Sequence, residues 1–547
     1  MSTSAAGGAP RRIREGLVEC EGEGERVFYN PAQVVNRDLS VLVLRYYGHL
    51  AATERVGDDV AHAGLRVLEA LAATGLRSLR YARETGCVAS VVANDVDAAA
   101  VEVIRRNIVL NGKLADCVSV SGADAYALMA SRRGAFDVVD LDPYGTAAPF
   151  LDPAVRAVGD GGLLCVTCTD ARVLCGTQPE VCFARYHATG IVAPYKHEQA
   201  IRIVVGCIAQ HANRYGRHVE PLLCLFIDFY VRVFVRVWDR RSLLKTQPSQ
   251  SALVYHCGGC SSFWLQPQGR IRQAATVAYL PAIGPPVGRT CPVCHTTDRL
   301  LLAGPMYTGT LHAPTLCDWL LWAVGDEGAE ALPPASRMGE VRGAPSMAQL
   351  RPHLAARDRI RALITVAREE LTVNTPLYVH LPTMCRVLKC SVPPLQAVQS
   401  ILRQRYGHAS SQVHHDAKAL KTDAPLPVVW DVLRCWAQLH GDAASDRLSP
   451  EGKFIRATTP SQPLEPPLTL RDFQERRKRR PIPRFPPNPT PHWGPKRAAS
   501  SRVPGSGSAS DTVHEADAPP QNGGESLSGN PIAEDARNVT AVQQPFR

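Results

Sequence analysis

The sequence lacks any apolar run that would cross a membrane: its most apolar long stretch, residues 221–238, is broken by Asp228, Arg232 and Arg236. It also lacks the basic, apolar and small-residue regions of a secretory signal near Met1, so its 17 scattered cysteines read as reduced thiols in a reducing compartment. No internal repeat is present. The Gly-x-Gly-x-x-Gly fingerprint is missing too, which disfavours a cofactor held by its pyrophosphate. What is there is a globular composition, 45% hydrophobic and 20% charged over 547 residues. At about 150 residues per domain, that length suggests two to three domains. Lys and Arg number 61 against 51 Asp and Glu, and the net charge of +10 suits a polyanionic partner without requiring one.

Between residues 65 and 169, apolar runs alternate with amphipathic helical segments, the signature of βαβ units in a parallel sheet. The spacing predicts strands over 65–70, 88–95, 117–122, 136–142 and 162–169, and a helix over 98–110 stopped by Asn111-Gly112. From 231 to 238 the valines alternate with Arg232, Phe234, Arg236 and Trp238, a strand period whose arginines are expected to face water or a ligand. Residues 1–26 read as a flexible N-terminus, 27–250 as the α/β domain, and 251–347 as a segment with two Cys-x-x-Cys pairs and a connection. Helices over 358–371, 395–406 and 431–439 give the 348–448 segment the look of a small α+β winged-helix-like domain. From 449 to 547, Pro, Ser and Gly dominate and a disordered tail with a basic cluster is predicted.

Parallel sheets bind ligands beyond the carboxyl ends of their strands, so the residues there carry the functional reading. The first strand is followed by Ala73-Thr74-Gly75-Leu76-Arg77, a single-glycine turn into a helix. The second ends in Asn94-Asp95, where an acid can grip a ribose hydroxyl pair, and the third in Gly122-Ala123-Asp124-Ala125. One such acid is commonly a helix cap, but two in register with a glycine turn fit a nucleoside ligand without phosphates. The fourth strand ends in Asp140-Leu141-Asp142-Pro143-Tyr144-Gly145. A base amine is a poor nucleophile because its lone pair is delocalised into the ring. Asp142 and the Pro143 carbonyl would accept its two hydrogens and localise that lone pair, with Tyr144 stacking on the base.

These strand ends resemble those of class I S-adenosylmethionine methyltransferases with a Rossmann-like sheet. More closely, Phe28-Tyr29-Asn30-Pro31, Asn36-Arg37-Asp38-Leu39-Ser40, the glycine turn, Asp142-Pro143-Tyr144-Gly145 and Lys421-Thr422-Asp423-Ala424-Pro425 resemble the tRNA (guanine(26)-N2)-dimethyltransferase family, in the family's order. The resemblance implies transfer of methyl groups from S-adenosyl-L-methionine to the N2 amine of a tRNA guanine, giving the N2-methyl and then the N2,N2-dimethyl base. It implies a cofactor site of Arg37, Arg77, Asp95, Asp124 and Ala125. Asp95 takes the ribose, Asp124 the adenine amine beside the Ala125 backbone, and the arginines bracket the methionine end. Tyr144 stands where the family often has Phe, which keeps the stacking face.

Two other readings of the sheet stand beside this one. Cys168, in Thr167-Cys168-Thr169 at the end of the fifth strand, would be the nucleophile of an RNA cytosine-C5 methyltransferase. A non-enzymatic, zinc-containing nucleic-acid-binding protein would keep the sheet only as a scaffold. Cys257, Cys260, Cys291 and Cys294 form two Cys-x-x-Cys pairs and predict a structural Zn2+, with His256 or His295 as a possible substitute ligand. Tyr406, His408, His414, His415, Lys418 and Lys421 make the C-terminal segment the candidate tRNA grip, against the alternative of a solvated basic face. Six of the ten residues from 471 to 480 are basic, and Arg476-Arg477-Lys478-Arg479-Arg480 reads as a nuclear import signal or an RNA-binding arm. The segment 484–496 after it is expected to lie along RNA or fold back on the module. The expected location is the nucleus, with mitochondria open. The expected partner is tRNA, with no membrane and no obligate protein partner.

Overall fold

The computed structural model describes residues 11–22, 29–54, 64–274, 276–325, 345–373, 375–440, 448–474 and 484–488. Its centre is a seven-stranded sheet: β1 (Leu65–Glu69), β2 (Val88–Asn94), β3 (Val118–Ser121), β4 (Phe136–Leu141), β5 (Val158–Cys168), β6 (His218–Ile227) and β7 (Tyr230–Trp238). The order is β3-β2-β1-β4-β5-β7-β6, parallel from β3 to β5, with β7 antiparallel to both neighbours. All six residues of β4, Phe-Asp-Val-Val-Asp-Leu, are buried, as a central parallel strand with helices on both faces requires. Helices α1 (Val34–Glu54), α2 (Leu76–Glu84) and α3 (Ala98–Leu110) pack in the core on one side of the sheet. The helix at Lys196–Arg214 packs in the core on the other.

The arginines of β7 overturn one expectation. Arg232 is fully buried and Arg236 nearly so, and neither faces water. The alternation is real, but β7 lies inside the sheet and its polar face is covered by α1. Arg232 bonds Ser40 of α1 at 2.8 Å, and Arg236 pairs with Glu54 at the end of α1 at 2.6 Å.

Two expected boundaries also shift. The helix at Arg357–Glu370 places Ile360, Ile364 and Ala367 in the sheet-side core, together with Leu39 of α1 and Leu316 and Leu320 of the helix at Pro314–Ala323. The separate C-terminal core therefore begins after it. Three strands (Val379–His380, Ser410–Val413, Asp416–Thr422), with Asp416–Thr422 in the middle, combine with helices at Leu381–Leu388, Leu395–Arg405 and Leu426–Leu439, the element set of a winged-helix module. That core also takes in a helix at Pro450–Ala457 and the buried Ile455, Leu468 and Phe473, so ordered packing continues past residue 449. A few apolar anchors suffice there, too sparse to show a period among the prolines. Arg476–Arg480 and the 489–496 part of the Pro-rich segment lie outside the described residues. Residues 484–488 fold back on the helix at Arg357–Glu370: Arg484 pairs with Glu369, and the Asn488 side chain accepts from Arg359 at 3.0 Å.

Candidate active site and metal centre

After β3 the chain crosses to the far side of β1 to form β4, so the strand order reverses there, and in such sheets the ligand crevice lies over the carboxyl ends at that point, here β1 and β4. Asn94 staples its floor. The Asn94 amide donates to the carbonyls of Ala70 and Ala123 at 3.0 Å each, and its oxygen accepts from the Ala123 N–H at 3.1 Å. One buried side chain thus fixes the ends of three strands. Beside it the Asp95 carboxylate accepts from Ala73 N–H at 2.8 Å and Asp97 N–H at 3.0 Å, which leaves each oxygen with a further acceptor position. Asp124 is exposed and caps the helix at Ala125–Ala130, accepting from Ala127 N–H at 2.8 Å, while Ala125 is buried. The turn needs Gly75: its φ is +73°, and a Cβ there would sit 3.0 Å from Ile104. Val96 and Tyr126, next to Asp95 and Ala125, are 67% and 48% exposed. These apolar flanks escape a sequence reading because single residues past a strand end carry no period.

Asp142 is half-buried, Pro143 is buried, and Tyr144 is 58% exposed. Partial burial and the charges of Asp95 and Asp142 push the Tyr144 hydroxyl up, so its ring belongs to the same crevice as both acids. Asp142 is held by an ion pair with Arg77. The same guanidinium reaches Asp140 and Asn36 at 3.3 Å each and Glu69 at 3.4 Å, and it is nearly buried. Arg232 chelates Asp140 with two bonds of 2.8 Å, and the Tyr81 hydroxyl donates at 2.5 Å. Burial alone would raise the Asp140 carboxyl, but the Arg232 and Arg77 charges outweigh it and hold Asp140 well below the usual carboxylate range. Glu69, also buried and less well paired, is pushed up to about 8.

Arg37 is buried, with Nε and Nη2 each 2.6 Å from the Glu15 carboxylate, which belongs to an N-terminal hairpin of Arg11–Glu15 and Val18–Gly22. Glu15 is held at about 2, the Arg37 and Arg80 charges overcoming burial. The structure therefore sets Asp95 and Asp142 near Tyr144 at the carboxyl edge of the sheet, with Asp124 at the end of the neighbouring strand β3. It places Arg37 and Arg77 with their forks largely closed on protein carboxylates. Glu15, Tyr81, Asp140 and Arg232 are the partners sequence reasoning missed; Asp140 had a signal in its place two residues before Asp142, and Arg232 in the strand period of β7.

The four predicted cysteines converge. Their sulfurs lie within 4.8 Å of one another, with Cys257–Cys294 at 3.6 Å and Cys260–Cys291 at 3.7 Å. A disulfide would need about 2.05 Å. Four thiolates around Zn2+ at about 2.3 Å give tetrahedral edges of about 3.8 Å, so the donor set fits the ion. His256 instead meets the Tyr195 hydroxyl at 3.1 Å, and His295 stacks on Phe454 at 4.0 Å, so neither histidine replaces a cysteine.

Residues 12–434 match the family model of the N2,N2-dimethylguanosine tRNA methyltransferases. The chain belongs to this family. It is 36% identical to tRNA (guanine(26)-N(2))-dimethyltransferase 2 of Arabidopsis thaliana over 88% of each protein. To the tRNA (guanine(26)-N(2))-dimethyltransferase of Homo sapiens it is 35% identical, over 92% of this chain and 80% of that one. The structure of Trm1 from Pyrococcus horikoshii with S-adenosyl-L-methionine superposes with a TM-score of 0.60 at 25% identity, covering 77% of this chain and 98% of that one.

Family membership and geometry together set aside the competing readings. Cys168 is buried and its thiol is pushed up to about 12 by burial, so it is neither ionised nor reachable as a nucleophile. The proposed C-terminal grip is dispersed as well. Lys421 is buried, with its ammonium 2.8 and 2.7 Å from the two Glu198 oxygens and 3.0 Å from the Thr375 carbonyl. His414 is buried, donating to Glu370 at 2.7 Å and accepting from Phe226 N–H at 3.1 Å, and His415 meets the Tyr378 hydroxyl at 3.0 Å. Lys421 is on the middle strand of the module and the two histidines are in the turn that leads into it, and their partners on the sheet domain, Glu198 and Phe226, are not revealed by linear spacing. Of the six residues, Lys418 is exposed, Tyr406 is half-buried and His408 faces Asp423 at 3.3 Å. His312, Glu370 and His414 also cluster within 4.8 Å. They are no metal centre, because Phe226 N–H occupies the lone pair of His414 and leaves its other ring nitrogen protonated toward Glu370.

Proposed function

We propose that this chain methylates the exocyclic N2 amine of a guanine in tRNA, at position 26, through the monomethyl to the dimethyl base. The observation that carries this reading is the carboxyl edge of the sheet, where Asp95 and Asp142 lie near Tyr144 and Asp124 ends the next strand, in a chain of this family. S-adenosylmethionine, when bound, supplies a methyl group activated by a sulfonium. Asp95 accepts the ribose hydroxyls through its open acceptor positions. Asp124 accepts the adenine amine beside the Ala125 backbone, with Val96 and Tyr126 as apolar flanks. Arg37, oriented by Glu15, supplies the positive charge for the methionine carboxylate.

Asp142 and the Pro143 carbonyl accept the two hydrogens of the guanine amine, and Tyr144 stacks on the base. Arg77, expected at the cofactor, also aims the Asp142 carboxylate, and Asp140 with Arg232 fixes Arg77 in turn. Alignment and fixed charge supply the acceleration, as an in-line displacement between held groups requires. Cys257, Cys260, Cys291 and Cys294 hold Zn2+ in a closed four-ligand site, which gives it a structural role. The domain reading becomes a methyltransferase sheet domain that includes the helix at Arg357–Glu370, joined through the zinc segment to a C-terminal module that binds tRNA without an obligate protein partner. Arg476–Arg480 supports nuclear import by sequence alone; a Saccharomyces cerevisiae relative, 33% identical, is named mitochondrial.

Incubation with unmodified tRNA and S-adenosylmethionine, followed by nucleoside analysis, tests the reading. It predicts N2-methyl- and N2,N2-dimethylguanosine at position 26. Formation of 5-methylcytidine, or no product from protein that binds the cofactor, overturns it.

A further inference from the structure

A groove of about 540 Å³ opens on the C-terminal module between the helix at Leu395–Arg405, the strand at Ser410–Val413, and residues 471–474 and 484. It lies apart from the crevice over the sheet. Four arginines line it, Arg403, Arg405, Arg471 and Arg484, against two carboxylates, Glu369 and Asp472. Both carboxylates are already matched: Arg484 pairs with Glu369, and Arg405 with Asp472 at 3.2 Å. Arg403 and Arg471 are exposed and make no ion pair among the described residues, so their charge is uncompensated. The rest of the lining is mostly glutamine and serine, neutral donors suited to phosphate oxygens and sugar hydroxyls.

The groove is built, not incidental. Arg484 is fixed by Glu369 and also bonds Gln412 at 2.8 Å, so a returning segment of chain forms one wall. Arg405 also donates to the Pro466 carbonyl, which holds a second wall. Its distance from the crevice is set by one helix. Arg359, near the start of the helix at Arg357–Glu370, pairs with Asp228 in the turn between β6 and β7. That turn lies at the carboxyl edge of β5, because Cys168 pairs with Val231. Glu369 is ten residues further along the same helix, a span of roughly 15 Å along its axis, so one rigid element links the groove wall to that edge.

We propose that this groove binds the phosphate backbone of tRNA, with Arg403 and Arg471 as the two phosphate-contacting cations, and that it positions the RNA rather than reading its sequence. The proposal rests on the tRNA reading above and gives it a location. It also replaces the buried His414 and Lys421 as the source of grip. Charge complementarity selects the occupant: paired acids, free guanidiniums and neutral amide donors match a polyanion, and an acidic peptide would find the same charges without a use for the many glutamines.

The test is the full-length Arg403→Gln/Arg471→Gln double variant, with the basic run at 476–480 left intact. Arg132→Gln/Arg133→Gln serves as control, since those exposed arginines precede β4 at the opposite edge of the sheet. Binding of unmodified tRNA is measured across a salt series, with methylation kinetics alongside. Each lost phosphate contact should lower the slope of log affinity against log salt by about one. The expected result is weaker tRNA binding by roughly fivefold or more at moderate salt, a raised KM for tRNA, and unchanged kcat and S-adenosylmethionine affinity. An unchanged slope and KM in a variant that still binds the cofactor overturns the proposal. So does an equal loss in the control, which would reduce the effect to net charge. Failure of the wild type itself to methylate tRNA would strike the functional reading instead, and the two failures are thereby distinct.

Discussion

At the carboxyl edge of the sheet, Asp95, Asp124 and Asp142 are exposed or half-buried, and Asp95 keeps acceptor positions open beside its backbone donors. At the joint between the sheet domain and the C-terminal module, Glu198, Glu370, His414 and Lys421 are just as densely packed, yet all four are buried and bonded to each other or to backbone. The two regions contain similar residue types and differ in what remains unsatisfied. A polar cluster with spare valence at a surface is a site; the same cluster closed on itself is a joint. That difference also explains why the joint looks like an RNA grip in sequence, where His and Lys are countable and their partners, more than 40 residues away at Glu370 and more than 200 away at Glu198, are not.

The largest disturbance should come from the metal. Cys257, Cys260, Cys291 and Cys294 share one core with Trp430, Leu433 and Ile455 of the module. Removing Zn2+ with a chelator, or Cys291→Ser with Cys294→Ser, should unfold that core and abolish tRNA binding, while calorimetry finds S-adenosylmethionine affinity within a few-fold of the wild type. Equal loss of cofactor binding would mean that the two regions are not separable.

Next in size is the joint. Lys421→Met leaves the Glu198 carboxylate buried with Arg202 as its remaining cation, and denaturant unfolding should show a loss of about 3–5 kcal/mol. Its kcat at a temperature where it is folded should be unchanged, as befits a joint. The pH dependence has a definite sign. Burial would raise Glu198, but the Lys421 and Arg202 charges prevail and hold it at about 2 against an ordinary 4.5. Its contribution is therefore full above about 4.5 and is lost as pH falls through about 2, so the stability gap between wild type and Glu198→Gln should close on acidification.

The smallest effect belongs to Cys168→Ala. Trimming one buried sulfur should cost about 1 kcal/mol and leave methyl transfer within twofold of the wild type. Abolished transfer with normal folding would return the cysteine-nucleophile reading to the sheet edge.

The backbone of the sheet was largely legible. Alternating apolar runs marked β1 to β5 within a few residues, and the helix at Ala98–Leu110 matches its apolar spacing and its Asn111-Gly112 stop. The four zinc ligands were legible because two short turns carry all of the information. What stayed hidden were long-range partners. The burial of Arg232 depends on α1 covering the polar face of β7, and the closure of Arg37 depends on Glu15, 22 residues earlier in a separate hairpin. Local periodicity reports which way a side chain points, not what lies there to meet it. Arg77 is the sharpest case: its place in the glycine-turn motif marked it as a site residue, but nothing local announced its ion pair with Asp142, 65 residues away at the end of β4.

Asp142 is where the account is most exposed. In Asp142→Ala, single-turnover methyl transfer to unmodified tRNA should fall by roughly 10²–10⁴-fold. Equilibrium binding of S-adenosylmethionine and of tRNA should stay within a few-fold of the wild type. Transfer that persists at near wild-type rate in this folded, cofactor-binding variant would contradict the assignment of Asp142 as acceptor of the guanine amine, and with it the central claim about the crevice.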